Sequence, residues 1–327
     1  MRDTLLAISD LHVEFKVYEG KLKVLNGVNM NVAPQEQVGL VGESGCGKTT
    51  TMKCVLRILP VPPGRITRGA ILFRGRDVLR LAPRELQWVR GRGVSMIFQD
   101  PTAALNPVFT IGDQLMAVIR YGSRDSLPHK EIRRRASAVL REVQLPDPDR
   151  ILNCYPVQLS GGMRQRVCIA MALATEPELL IADEPTTSLD VTIEDQVLRL
   201  LQALVERRAT SVIFITHSLG VVRGMADWVY VMYAGSIVEG ARKPALFAEP
   251  LHPYTKGLMS AVPKLTGGGI VEGIPGRIPN YLDPPSGCRF HPRCPQAMER
   301  CTQERPAFVD TGDDHQVACF LYQGRGS

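Results

Sequence analysis

Residues Leu5 to Val32 alternate apolar and polar positions, as in Leu11-His12-Val13-Glu14-Phe15 and Val24-Leu25-Asn26-Gly27-Val28. A period of two buries one face and wets the other, so this stretch predicts antiparallel strands packed on one side, with Ile71 to Phe73 continuing them. Elsewhere the pattern changes to short apolar runs: Gln37-Val38-Gly39-Leu40-Val41, Val94 to Phe98, Leu179-Leu180-Ile181-Ala182 and Val212-Ile213-Phe214-Ile215. Helical segments are expected over Thr50 to Leu59, Ile111 to Arg120, Lys130 to Val143 and Ile193 to Arg207. Apolar strands alternating with helices predict an α/β fold whose parallel sheet is covered on both faces. No internal repeat is visible. Gly267-Gly268-Gly269 reads as a flexible joint before a tail of different composition, rich in Pro, Arg and Gly.

Composition narrows the class only a little. The chain has 327 residues, 44% of them hydrophobic and 22% charged, as in an ordinary globular protein. No apolar run approaches the roughly 20 residues of a membrane-spanning helix, and Met1-Arg2-Asp3-Thr4-Leu5 lacks the apolar core of a secretory signal. A cytoplasmic protein is expected. Lys plus Arg (39) exceeds Asp plus Glu (33) by 6, too little to argue for nucleic acid.

Chemistry enters at Gly42-Glu43-Ser44-Gly45-Cys46-Gly47-Lys48-Thr49, which fits the phosphate-binding loop G-x-x-x-x-G-K-[ST]. An apolar strand before it and a helix after it aim backbone N–H groups and a positive helix end at phosphate oxygens. Lys48 is then expected to reach the β- and γ-phosphates, and Thr49 to offer its hydroxyl to Mg²⁺. Asp183 closes an apolar strand and is placed to hold Mg²⁺ through water, while Glu184 beside it can polarise an attacking water. Gln99, at the end of another strand, can touch both metal and water, and His217, after Val212 to Thr216, can reach a γ-phosphate. Leu159-Ser160-Gly161-Gly162-Met163-Arg164-Gln165-Arg166 is a second candidate anion site, a hydroxyl and free N–H groups opening a helix. One active site does not need two cradles, so the second is expected to grip a nucleotide bound by another subunit.

In order and spacing these residues resemble the ATP-binding subunits of ABC transporters, over roughly residues 5–245. The resemblance assigns Walker A to residues 42–49, the Q-loop to Gln99, the signature to Ser160, Gly161 and Gly162, the end of Walker B to Asp183 and the switch histidine to His217. It makes Ser188-Leu189-Asp190 the D-loop. It implies a RecA-like core, an antiparallel β-subdomain and a helical subdomain at about residues 100–170, within a nucleotide-binding domain over 1–255. Nucleotide contacts are implied for Gly42, Ser44, Gly45, Cys46, Gly47, Lys48, Thr49 and Thr50, for the signature residues and for Asp190, and Mg²⁺ contacts for Thr49, Gln99 and Asp183. Adenine would stack on Tyr18 or, as the rival, Phe15. Two positions depart from the common pattern: Ser218 follows the histidine where an acid is usual, and Ser188 stands where alanine is frequent.

The tail, residues 256–327, spaces its cysteines as Cys288-x5-Cys294-x6-Cys301-x17-Cys319. Clustered thiolates in a reducing compartment suit an iron–sulfur cluster or zinc, although zinc sites usually show tighter pairs; unmetallated thiols are the third option. His291 is read as a neighbour of the cysteines, not a ligand. With His252-Pro253-Tyr254-Thr255 and Pro284-Pro285-Ser286-Gly287-Cys288-Arg289-Phe290-His291-Pro292-Arg293-Cys294-Pro295, the tail resembles the C-terminal extension of dipeptide/oligopeptide importer ATPases. That family implies a [4Fe–4S] cluster on the four cysteines. It further implies a second ATPase subunit, commonly a paralogue, two membrane permeases, an extracytoplasmic solute-binding protein and a place on the cytoplasmic face of the inner membrane. ABC proteins of nucleic-acid repair or ribosome recycling usually carry two cassettes, whereas this chain has one.

Overall fold

The computed structural model describes residues 3–123, 126–187, 189–261 and 273–323. The glycine run at 267–269 and Ser188 lie outside them. The chain opens with a long hairpin, β1 (Leu6–Val17) and β2 (Gly20–Val32), paired antiparallel from Leu6 against Val32 to Val17 against Gly20. Leu6, Ile8, Leu11 and Val13 are buried on one strand, Leu25, Val28, Met30 and Val32 on the other. The register shift between Ile8 and Leu11, with Asp10 at φ 48°, keeps those apolar residues on the core side. β3 (Gln37–Val41) follows, then α1 (Lys48–Val55), which starts and stops earlier than the sequence suggests because Arg57 turns left-handed, φ 49°, before Pro60. β4 (Gly64–Phe73) and β5 (Arg76–Asp77) complete a sheet of order β2-β1-β4-β5.

Next come α2 (Pro83–Trp88), β6 (Val94–Ile97), α3 (Pro101–Ala104), α4 (Ile111–Gly122), α5 (His129–Glu142), α6 (Pro148–Leu152) and α7 (Gly161–Leu173). Their starts are written locally. Proline occupies the first turn of α2, α3 and α6, and Thr110 and Asp113 cap α4 reciprocally. On α5 the buried residues Ile132, Ala136, Val139 and Leu140 follow the helical period. β7 (Leu179–Asp183) lies parallel to β6, Val94 opposite Leu179 through Ile97 opposite Ala182. α8 (Val191–Arg208) ends at Ala209, φ 51°, and β8 (Ser211–Thr216) follows.

The last stretch holds α9 (Leu219–Met225), β9 (Trp228–Tyr233), β10 (Ser236–Arg242), α10 (Lys243–Ala248), α11 (Pro253–Ser260), α12 (Glu299–Gln303), β11 (Val309–Asp310) and β12 (His315–Val317). By contacts the chain forms two compact units, one of residues 1–80 with 215–327, the other of residues 81–214.

In the first unit β9 lies parallel to β3, but β10 folds back antiparallel on β9 and β12 antiparallel on β10. The sheet is thus mixed where parallel strands were expected, since the two-residue turn at Ala234-Gly235 can join only antiparallel neighbours. β12 belongs to the tail, so the chain between Cys301 and Cys319 adds a strand to the same sheet. The fully buried Glu239 on β10 fastens it: its carboxylate bonds His315 Nε2 (2.7 Å) and accepts from the N–H groups of Leu251 (2.7 Å) and His252 (2.9 Å). Phe290 of the tail packs edge-on against Tyr233 at 5.0 Å and Tyr254 at 5.5 Å. Burying an aromatic of this size contributes roughly 2–3 kcal/mol, so the order of the tail draws on the core of the N-terminal strands' own unit.

Candidate functional site

β3 delivers the glycine loop. Gly42 (φ 157°) cannot be replaced without strain, because a Cβ there would strike the Met232 carbonyl oxygen and come within 2.9 Å of Cys46 Sγ. Gly47 (φ 110°) caps α1, and Lys48 is the first residue of that helix. The buried Lys48 ammonium donates to the carbonyls of Gly42 (2.7 Å) and Glu43 (3.1 Å). An arriving phosphate offers the same ammonium a charged acceptor instead. Thr49 and Thr50 are half-buried, Ser44 and Gly45 exposed. Cys46 is buried, and burial pushes its thiol up despite Lys48 nearby, so its side chain packs in the core as a neutral thiol.

Four distant residues hold this loop in place. The Glu43 N–H donates to the Tyr254 hydroxyl (2.9 Å), the Tyr281 hydroxyl donates to Gly45 O (2.9 Å), and Gly235 N–H to Cys46 O (2.8 Å). Arg293 grips the Glu43 carboxylate with both terminal nitrogens, at 2.8 and 3.0 Å. None of these partners was foreseen, since they lie up to 250 residues away and single-sequence patterns carry no mark of such pairs. Tyr18, at the tip between β1 and β2, is fully exposed, and Phe15 is half-buried on β1. His217 is exposed directly after β8.

The second unit gathers the acids. Asp183 is buried at the end of β7, and Glu184 follows at φ 44°, a conformation a non-glycine residue holds only at a cost of order 1–2 kcal/mol. Gln99 Nε2 donates to Glu184 Oε2 at 2.8 Å and Thr187 Oγ1 donates to the same oxygen at 3.1 Å. Gln99 and Glu184, singled out separately, are therefore brought together; Thr187 carried no signal of its own. The strained turn and two donors fix a carboxylate, which suits orienting a water. Asp190 is exposed as the N-cap of α8. Ser160 caps α7 and accepts from Met163 N–H at 3.3 Å, and it and Gly161 are exposed.

In the tail, Cys301 and Cys319 are buried, Cys288 and Cys294 half-buried, and all four are free thiols. Burial pushes Cys288 up to about 11 and raises Cys294 and Cys319, and the thiols lie within electrostatic reach of one another. Each is met by a backbone N–H: Phe290 at Cys288, Gln296 at Cys294, Leu321 at Cys319 and Met298 at Cys301 (3.4 Å). Among the described residues no three His, Cys, Asp or Glu side chains form a group that could hold a metal ion. Cys288, Arg289 and Arg305 line one cavity of about 30 Å³, and burial lowers Arg289 to about 10.

Comparison with known proteins agrees with this geometry. Residues 25–187 match the model of the ABC transporter family, and residues 238–301 that of the oligopeptide/dipeptide transporter C-terminal region. The structure resembles the dimeric cassette MJ0796, solved in a post-hydrolysis state with ADP and Pi, at TM-score 0.65 and 27% identity over 73% of this chain and 98% of that one. The class is that of the ABC ATP-binding cassette. Over nearly the full length the chain is 46% identical to a probable peptide ABC transporter ATP-binding protein of Sinorhizobium fredii (97% of this chain, 95% of the other). It is 44% identical to the dipeptide transport ATP-binding protein DppD of Bacillus subtilis (99% and 96%). A probable D,D-dipeptide transport ATP-binding protein of Escherichia coli is 43% identical (99% and 98%). The chain belongs to the ABC transporter ATP-binding proteins, in the branch with the oligopeptide/dipeptide C-terminal region, and hydrolyses ATP to drive transport.

Proposed function

We propose that this chain powers the import of peptides, working at the cytoplasmic face of the inner membrane beside two permease subunits, a solute-binding protein and a second, paralogous ATPase. The observation that carries the reading is the presence in one chain of the cassette and the peptide-transporter tail, matched end to end by relatives described as peptide transport proteins. No helix among the described residues is long and apolar enough to cross a membrane, so the path for solute belongs to partners. A surface fit for one lies in the second unit: Phe98, Val108, Phe109, Tyr155 and Val157 are exposed. The bond from Ile111 N–H to Cys154 O (2.8 Å) brings two of those segments side by side. Such a patch matches an apolar helix of a permease.

In this mechanism the loop 42–49 holds the phosphates of ATP, with Lys48 on the β- and γ-phosphates, and Tyr18 stacks on adenine. Thr49, Asp183 and the amide oxygen of Gln99 are the oxygen ligands that would hold Mg²⁺, and when bound the ion would supply positive charge to the phosphates. Glu184 takes a proton from the attacking water while His217 contacts the γ-phosphate. Ser160, Gly161 and Gly162, with Asp190, serve the nucleotide held by the partner ATPase. Cys288, Cys294, Cys301 and Cys319 would ligate a [4Fe–4S] cluster, which when bound would clamp the tail. An N–H donor at every thiol, and the buried Arg289 with Arg305 lining the same cavity as Cys288, are what supports an anionic thiolate cluster.

Co-expression with candidate permease subunits tests the transport reading: the chain should co-purify with them, and ATP turnover should rise when the peptide-loaded binding protein is added. Turnover indifferent to peptides of every length would remove the substrate class. Anaerobic purification should yield a brown protein absorbing near about 400 nm, and a colourless one would remove the cluster.

A further inference from the structure

The phosphate loop of this chain carries its own negative charge. Glu43 stands between Gly42 and Ser44, where an unneutralised carboxylate repels the polyphosphate the loop is shaped to hold. Its neutraliser comes from the tail. Arg293 lies next to Cys294, its side chain only 6% exposed, and all five of its N–H donors are used. Nε donates to Pro275 O (2.8 Å), one terminal nitrogen to Glu43 Oε2 (2.8 Å) and the Tyr233 hydroxyl (3.4 Å), the other to Glu43 Oε1 (3.0 Å) and Ile274 O (3.0 Å). The guanidinium is therefore fixed before any nucleotide arrives. Tyr281, also from the tail, reaches Gly45 O, and Tyr254 takes the Glu43 N–H.

We infer that the tail is a working part of the nucleotide site: Arg293 is a positioning residue that cancels the Glu43 charge and, with Tyr281, holds the loop in its phosphate-binding shape. The inference rests on the reading of residues 42–49 as the nucleotide site, and it is independent of what the cysteines bind. A purely structural Arg293 would lower stability when replaced, with no dependence of ATP affinity on the charge at position 43.

The test measures binding of a fluorescent ATP analogue to the full-length chain. Arg293→Gln should weaken binding about tenfold, less so as salt is raised, and in the intact transporter the change should fall on KM more than on kcat. Adding Glu43→Gln should restore affinity to within about threefold, and Arg293→Lys, which keeps the charge, should lose less than Arg293→Gln. Unchanged affinity in Arg293→Gln, or a loss that Glu43→Gln does not relieve, overturns the inference. Should Arg293→Gln not fold, Glu43→Gln alone decides: affinity within about threefold of wild type or higher supports it, and a loss beyond about threefold overturns it. Lys48→Ala separates the two readings. Intact affinity there removes the nucleotide site itself, whereas affinity lost there and kept in Arg293→Gln removes only the contribution of the tail.

Discussion

The glycine loop before α1 and the turn at Ser160 before α7 both open helices, yet they are supported in opposite ways. The first is half-buried, its lysine enclosed, and it is tied down by Tyr254, Tyr281, Gly235 and Arg293. The second stands at the surface on a well-buried helix, where Val167, Ile169 and Ala170 are fully enclosed. Its serine hydroxyl accepts a long bond from Met163 N–H in its own first turn, at 3.3 Å. A site braced from several sides can bind a ligand alone; a rigid but bare helix start is built to complete a ligand carried by something else. The contrast predicts that damage to the loop shows in the isolated subunit and damage to the turn only in the assembled pair.

The Glu184 carboxylate gives the largest effect. Glu184→Gln should lower ATP hydrolysis by a hundredfold or more, about 3 kcal/mol of barrier, and leave ATP binding intact in a phosphate-release and binding assay. Lost binding would move Glu184 from the chemistry to the ground state. Lys48→Ala should weaken ATP binding by the isolated subunit about thirtyfold, near 2 kcal/mol, the scale of a buried charge-assisted hydrogen bond. Ser160→Ala should leave that affinity within about twofold and slow hydrolysis by the assembled complex about tenfold. Equal losses in isolated and assembled protein would erase the distinction between the two cradles.

The smallest effect is a pH response confined to the first unit. His252 is buried, accepts the Tyr254 N–H on Nδ1 (3.0 Å) at the start of α11, and is held by burial at about 4, below its ordinary value near 6.5. As pH falls, the unfolded chain takes up this proton first. Stability is therefore complete above about 6.5 and is lost as pH drops toward 4, by about 0.8 kcal/mol between pH 7.5 and 6. Denaturant titrations of wild type and His252→Asn should differ in that slope, and identical slopes would take His252 out of the account.

Much of this was legible in the chain because it is local. Alternation over residues 6–32 wrote the first hairpin, apolar runs wrote β3, β6, β7 and β8, and the order of glycine, lysine and acids pointed to the class of ATPase. What escaped is non-local. Nothing near Glu43 announces Arg293, nothing near Gln99 announces its bond to Glu184, and β10 accepts a tail strand whose own residues, His315 to Val317, are too few to carry a period. The early end of α1 escaped for a different reason, since a single left-handed residue at Arg57 outweighs the helical preference that follows it.

Glu239 sets a limit on how this polypeptide can be trimmed. Its carboxylate sits out of water between a histidine near the C-terminus and two amides following β10, so shortening the protein ahead of His315 would strip away one of its three partners. It would also bare the flank of β10, a ready template for sticking to other copies. A shortened version meant to isolate the motor would inherit both defects, and its aggregation would say nothing about whether the missing piece matters for transport.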